Sequence, residues 1–148
     1  MLSVLCVLGA ILYLDRVCIS LALPQIQADL DISDAKIGWI SLAFSLGYAL
    51  FEIPTGHLGD RFGWRATMMR ICVGWSIFTA LTGAAMGFWM LMGIRFAFGA
   101  GEAGAWPNVG GIVSRWFPTA QRTLAMGIFG AATAAGAGLA PQLVIPIQ

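Results

Sequence analysis

Two pairs of charged residues stand where charge is costly. Arg95 and Glu102 lie inside an otherwise apolar run from Phe88 to Val113, and Asp15 and Arg16 lie inside another from Ser3 to Leu23. A run of about 26 residues is long enough, as a helix, to cross a bilayer with some tilt. Each charge at the bilayer centre costs roughly 2.5–3.5 kcal/mol on insertion scales, and four together cost about 10–14 kcal/mol. A cost of that size is compensated in a polar or water-filled cavity, and intramembrane charges are functional by default. The chemistry open to them is narrow. Arginine offers a planar fork that suits a carboxylate. A carboxyl in a low-dielectric site favours its neutral form, as a carrier of protons needs. The competing reading is structural: Arg95 snorkels to an interface and pairs with Glu102, or a buried ion pair locks the first helix to the fourth. Such a pair is weak support for stability, because desolvation offsets its attraction.

The spacing refines this picture. Arg95 and Glu102 are two helical turns apart and share one face, offset by about 20°. Asp15 and Arg16 are neighbours in sequence and point about 100° apart, so each reaches a different partner. Tyr13 and Ser20 flank the Arg16 face at i−3 and i+4. Gly93, Ala97, Gly101 and Ala105 form a small-residue stripe at spacing four, which suits the approach of a second helix. Tyr48, in mid-span, either offers a hydroxyl to a substrate or serves ordinary helix packing.

These charges need elements to hold them. Hydrophobic residues make up 59% of the 148 and charged residues 10%, with a mean hydropathy of +0.83. A soluble domain carries about 25% charged residues, so the composition is that of an integral membrane protein. Glycine, at 19 residues, is well above the usual share of about 7% and argues for close helix packing. No strand alternation persists, so an all-α helical bundle is the expected class. Five spans are expected, over residues 3–23, 37–58, 66–82, 88–113 and 123–147, the first stopped by Pro24. Ser33 and Asp34 suit an N-cap for the second span, and Asp60 suits a cap or ion pair at the start of the third. Both ends abut apolar spans, which reads as a piece of a longer protein.

Several classes are excluded. The net charge of +1 comes without a basic run, so no nucleic-acid partner is indicated. Cys6, Cys18 and Cys72 lack metal-ligand spacing and read as small buried hydrophobes. His57 stands alone at a helix end, and no nucleophile–base or metal constellation occurs. No enzyme, cofactor or metal is expected. The first loop carries Asp29, Asp31, Asp34 and the single Lys36. Arg61, Arg65, Arg70, Arg115 and Arg122 fall at the second and fourth connections. The positive-inside rule then places those two connections and the N-terminus in the cytoplasm of a cell-membrane protein.

Gly56-x-x-x-Asp60-Arg61-x-Gly63-x-Arg65 resembles the loop 2–3 signature of the major facilitator superfamily, with Trp64 where a basic residue is common. Arg95-x-x-x-Gly99-x-Gly101 resembles that superfamily's helix-4 signature. Tyr13-Leu14-Asp15-Arg16, Gly47-Tyr48, Gly99-Ala100-Gly101-Glu102-Ala103, Pro107 and Trp116-Phe117-Pro118 with Arg122 look like its anion:cation symporter family. The resemblance covers essentially the whole chain. It implies twelve helices in two six-helix halves, of which this chain holds about the first five and lacks the C-terminal half. Substrate sites in such inverted-repeat transporters lie near the midplane at repeat interfaces. Proton-coupled drug antiporters have a Gly-Pro step followed by Gly-Gly in helix five, where this chain reads Ala140-Pro141-Gln142-Leu143, which favours symport. The resemblance therefore implies a proton-coupled symporter of a small organic anion such as a sugar acid. Arg16 would attract the substrate carboxylate, and Tyr13 and Tyr48 would offer hydroxyls. Glu102 would carry the coupling proton, with Asp15 as a second titrating group and Arg95 as the helix-4 charge. Gly56, Asp60, Arg61, Gly63 and Arg65 would form a cytoplasmic gate. The alternatives are an efflux antiporter or facilitator of the same fold, or a membrane fragment that transports nothing.

Overall fold

The computed structural model describes residues 1–144. They form α1 (Leu2–Asp29), α2 (Asp34–Phe62), α3 (Trp64–Gly83), α4 (Phe88–Glu102), α5 (Ala105–Trp116) and α6 (Thr119–Val144). No strand occurs among the described residues, and the class is all-α. The helices Leu2–Asp29, Asp34–Phe62 and Thr119–Leu143 are long and apolar enough to cross a membrane. Each carries an exposed apolar stripe at helical spacing: Val4, Val7 and Ile11 on α1, Leu46, Leu50 and Ile53 on α2, Leu124 and Ile128 on α6. In water such stripes would have to be covered, whereas lipid tails solvate them as they are.

Two expectations about the elements are corrected. Pro24 does not stop the first helix, which continues to Asp29 with the proline inside it. α2 and α6 likewise run through Pro54 and Pro141. Proline removes one rung of the hydrogen-bond ladder. In an apolar helix without water, ending the ladder would strand several polar groups, so losing one rung costs less. The fourth span is not one helix. It divides at Ala103 and Gly104 into α4 and α5, and Gly104 takes φ +87°, a left-handed conformation that glycine adopts without penalty. Residues 145–147 of the fifth expected span lie outside the described residues.

The chain forms two compact bodies. One comprises Met1–Ile26 with the residues from Val113 onward. Its helices α1 and α6 meet through small residues. A methyl group at Gly9 would press on Phe129 and Thr133, and one at Gly136 would overlap the backbone of Ala10. Leu5, Ala125, Phe129 and Ala140 are buried. In the first turn of α6, Arg122 turns back onto the end of α5. Its Nε donates to the Phe117 carbonyl at 3.1 Å and its Nη2 to the Ser114 carbonyl at 2.6 Å. These are carbonyls that a helix C-terminus leaves without a partner, and a cation there also suits the helix dipole.

The other body, Gln27–Ile112, is built on α2, α3, α4 and the start of α5. α2 and α4 pack through a reciprocal pair of glycines. A methyl at Gly47 would overlap the Phe96 carbonyl, and one at Gly99 would overlap the Phe44 carbonyl. Backbone thus lies on backbone in both directions. The expected stripe does not do this work. Gly93 has no atom near the position of a β-carbon and borders an open apolar groove of about 370 Å³ lined by Trp39, Leu46, Met92 and Phe96 among others. Gly101 meets the Phe78 ring of α3. Only residue 99 of α4 faces the α2 backbone closely enough to require glycine for contact.

Candidate functional site

In the first body, α1 carries Tyr13, Asp15 and Arg16, all half-buried. The Arg16 guanidinium lies 5.4 Å from the centre of the Tyr13 ring, a cation over an aromatic face. Ser20 Oγ donates to the Arg16 carbonyl at 3.2 Å. The i−3 and i+4 neighbours read from the sequence therefore gather on the Arg16 side of the helix, one through its ring and one through its hydroxyl.

In the second body, both α4 charges are buried. Arg95 is 6% exposed and Glu102 2%, so neither snorkels to an interface. An aromatic ladder leads away from Arg95. Its guanidinium lies 5.2 Å from the centre of the Phe98 ring. Phe98 stands 5.8 Å from Phe44, and Phe44 stands 6.2 Å from Tyr48. Tyr48 is half-buried on α2, next to the Gly99 contact. Tyr48, Arg95 and Glu102 thus belong to one body, and Tyr13, Asp15 and Arg16 to the other.

Glu102 is the last residue of α4, directly before the break. Beyond the break, Asn108 is fully buried. Its Nδ2 donates to the Gly104 carbonyl at 2.6 Å and to the Thr55 carbonyl of α2 at 3.4 Å. Thr55 is 2% exposed, and its Oγ1 accepts from Arg70 Nη2 of α3 at 3.3 Å. One turn of α2 is therefore joined to both α3 and α5. Sequence reasoning did not single out Thr55 or Asn108, and it counted Arg70 only towards orientation. It also passed over Glu52, a half-buried carboxylate one turn after Tyr48 on the same face of α2. Glu52 meets the criterion that selected Asp15 and Glu102, a carboxylate in an apolar run. Its depth is bracketed by contacts. Gly99 sits at Phe44 and Tyr48, and Gly104 sits at Thr55, so Glu102, between those two glycines, is level with the turn of α2 that carries Glu52.

The signature Gly56, Asp60, Arg61, Gly63 and Arg65 lies at the α2–α3 turn. Gly63 takes φ +91° and its N–H donates to the Gly59 carbonyl at 3.1 Å. The side chains of Asp60, Arg61 and Arg65 are exposed, as is His57. Arg61 lies over the Phe62 ring at 5.5 Å, and Gly56 packs on Pro107. Asp60 does not cap α3, whose N-cap position is Gly63 without a side-chain hydrogen bond. Asp60 lies three positions before it, too far back for a side-chain cap. Ser33 does occupy the N-cap position of α2 but makes no cap bond. Asp34 instead accepts from Gln27 Nε2 at 2.6 Å, which closes the α1–α2 turn.

Exposed apolar stripes, glycine-packed helices and charges buried among them define a polytopic membrane protein. The chain belongs to the Major Facilitator Superfamily, whose family model matches residues 5–144. It is 38% identical over 136 residues to a hexuronate transporter of Bacillus subtilis, covering 92% of this chain and 32% of that protein. It is 34% identical over 146 residues to a probable sulfoacetate transporter of Cupriavidus necator, covering 99% and 34%. Among solved structures, it resembles a bacterial homologue of the human lysosomal transporter Spinster, inward-facing and unoccupied. The TM-score is 0.82 at 31% identity, over 94% of this chain and 29% of that one. The chain thus spans about a third of the length of the curated relatives it matches.

Proposed function

We propose that the chain works as part of a longer cell-membrane transporter that moves a small organic anion, of the sugar-acid kind, by symport with protons. The observation that carries the reading is Arg16, a guanidinium half-buried on a membrane-length helix and stacked on Tyr13. A cation held there suits a carboxylate, which the planar fork of an arginine can meet with two parallel hydrogen bonds. The hexuronate and sulfoacetate relatives support an organic anion as cargo. Tyr13 and Tyr48 offer hydroxyls to it. Glu102 carries the coupling proton, with Asp15 as a second titrating group. Arg95, held on the aromatic ladder, balances charge on α4. Gly56, Asp60, Arg61, Gly63 and Arg65 gate the cytoplasmic side, and the N-terminus is cytoplasmic. The remaining helices belong to the C-terminal part of the same transporter.

The test is made on the whole transporter in proteoliposomes, with a hexuronate as the solute, with and without an inward proton gradient, beside a binding assay. Glu102→Gln should remove gradient-driven accumulation and keep binding, because glutamine resembles the protonated acid. Arg16→Ala should abolish binding. Continued accumulation by the Glu102→Gln variant would remove Glu102 from the mechanism and make Asp15 the leading carrier. Solute leaving against the gradient would point to an antiporter.

A further inference from the structure

We propose that Asn108 is a positioning residue for Glu102. The inference rests on Glu102 being the proton carrier, and it concerns how that carboxylate is held. α4 ends at Glu102, and the Ala103 N–H closes it by donating to the Gly99 carbonyl at 2.9 Å. α5 opens when the Asn108 N–H donates to the Gly104 carbonyl at 3.1 Å. Two residues, Ala103 and Gly104, separate the helices. Nothing in a two-residue break fixes by itself where the last side chain of α4 points.

The Asn108 side chain supplies that constraint. Its amide nitrogen joins the Gly104 carbonyl, at the break, to the Thr55 carbonyl of α2. The orientation of the amide follows from chemistry, since the opposite one would set its oxygen against two carbonyl oxygens. That oxygen instead faces Gly59, where a β-carbon would overlap it, and has no hydrogen-bond donor among the described residues. Thr55 is itself fixed from a third helix by Arg70. The whole path from Thr55 through Asn108 and Gly104 to Glu102 is buried. Without the tie, the break keeps only its packing on α2, at Gly99 and Gly104, and loses its directional contact. Successive residues of a helix differ by about 100° in direction, so a slip of one residue at the break turns Glu102 away from its present face.

The test uses the whole transporter in lipid nanodiscs, with segmental labelling that puts carbon-13 in the glutamate carboxyls of these 148 residues alone. The chain has two glutamates, Glu52 and Glu102, so Glu52→Gln leaves Glu102 as the only labelled carboxyl. Its isotope-edited infrared band reports orientation and hydrogen bonding, whether or not Glu102 moves protons during transport. Asn108→Ser keeps a hydroxyl that can bond the carbonyl four residues back but is too short to reach Thr55. Asn108→Ala loses both bonds. The expected result is a shifted, broadened band in the serine variant at unchanged helix content, with a larger shift in the alanine variant. Coincidence of the serine band with that of the parent overturns the proposal. Loss of the fold in the alanine variant leaves the serine variant to decide. Loss of the fold in both overturns it too, since Asn108 would then serve the fold as a whole. The uptake experiment on Glu102→Gln fails independently of this one.

Discussion

Gly104→Ala separates the broken helix from the continuous one that the sequence suggests. Gly104 stands at φ +87°, a region that costs an L-residue of order 1–3 kcal/mol. A β-carbon there would also stand 2.6 Å from Thr55 Cβ and 3.1 Å from the Thr55 carbonyl carbon. Backbone on a packed helix yields little, and overpacking of this kind costs about 1–3 kcal/mol. The alanine restricts the unfolded chain, which returns about 0.4–1 kcal/mol. The balance is a loss of about 1–6 kcal/mol. Gly93→Ala is the matched control on α4. Nothing lies within 4 Å of its β-carbon position, so it should gain about 0.4–1 kcal/mol. Both are read by unfolding in mixed micelles with increasing dodecyl sulfate, followed by tryptophan fluorescence and helix content. Equal effects of the two substitutions, or a Gly104→Ala variant as stable as the parent, would refute the break and with it the placement of Glu102 at a helix end.

Two further outcomes are expected. With the native cysteines removed, a single cysteine at position 31 should react with an impermeant thiol reagent added outside intact cells, and one at position 121 should not; the reverse pattern would invert the orientation. Arg122→Ala should leave the Ser114 and Phe117 carbonyls without their charged donor and destabilise the α5 end by about 1–3 kcal/mol. Amide hydrogen exchange over residues 113–118 should then rise at least several-fold, and unchanged exchange would show that water replaces the arginine without cost.

The sequence disclosed the charges more readily than their setting. A lone arginine and glutamate in an apolar run announce themselves by cost, and their seven-residue spacing correctly puts both on the buried side of α4. Tyr13 and Ser20 were placed beside Arg16 by helical arithmetic, which holds wherever the helix is regular. The break was not seen because an apolar run has no polar punctuation. Two residues did carry a signal. Gly104 suits the end of one helix and Pro107 the first turn of the next. Pro24 was misread in the opposite direction, because a proline removes only one rung of the ladder, and α1 runs on past it through Gln25 and Gln27 to Asp29. The glycine stripe held at Gly101, which meets Phe78 and Gly74 of α3, and not at Gly93. Four small residues share a face, but which face meets a neighbour depends on tertiary packing, and α2 selected Gly99. Thr55 and Asn108 are ordinary polar residues whose importance lies in reaching one another across more than fifty positions of sequence.

The break bears also on how the protein enters its membrane. α4 has 15 residues and α5 has 12, about 22 and 18 Å at 1.5 Å per residue, against a hydrocarbon core of about 30 Å. Neither spans the bilayer alone. Together they do so only with the backbone of Ala103 and Gly104 at depth, where polar groups without partners cost several kcal/mol each. The Asn108 amide removes part of that cost by donating to the Gly104 carbonyl, and the amide is itself satisfied by the Thr55 carbonyl, on a helix made some fifty residues earlier. An emerging α4–α5 segment therefore finds its best-satisfied state against α2 and not in lipid on its own. Its integration during synthesis depends on α2 being in place, so the order of the chain is also an order of assembly.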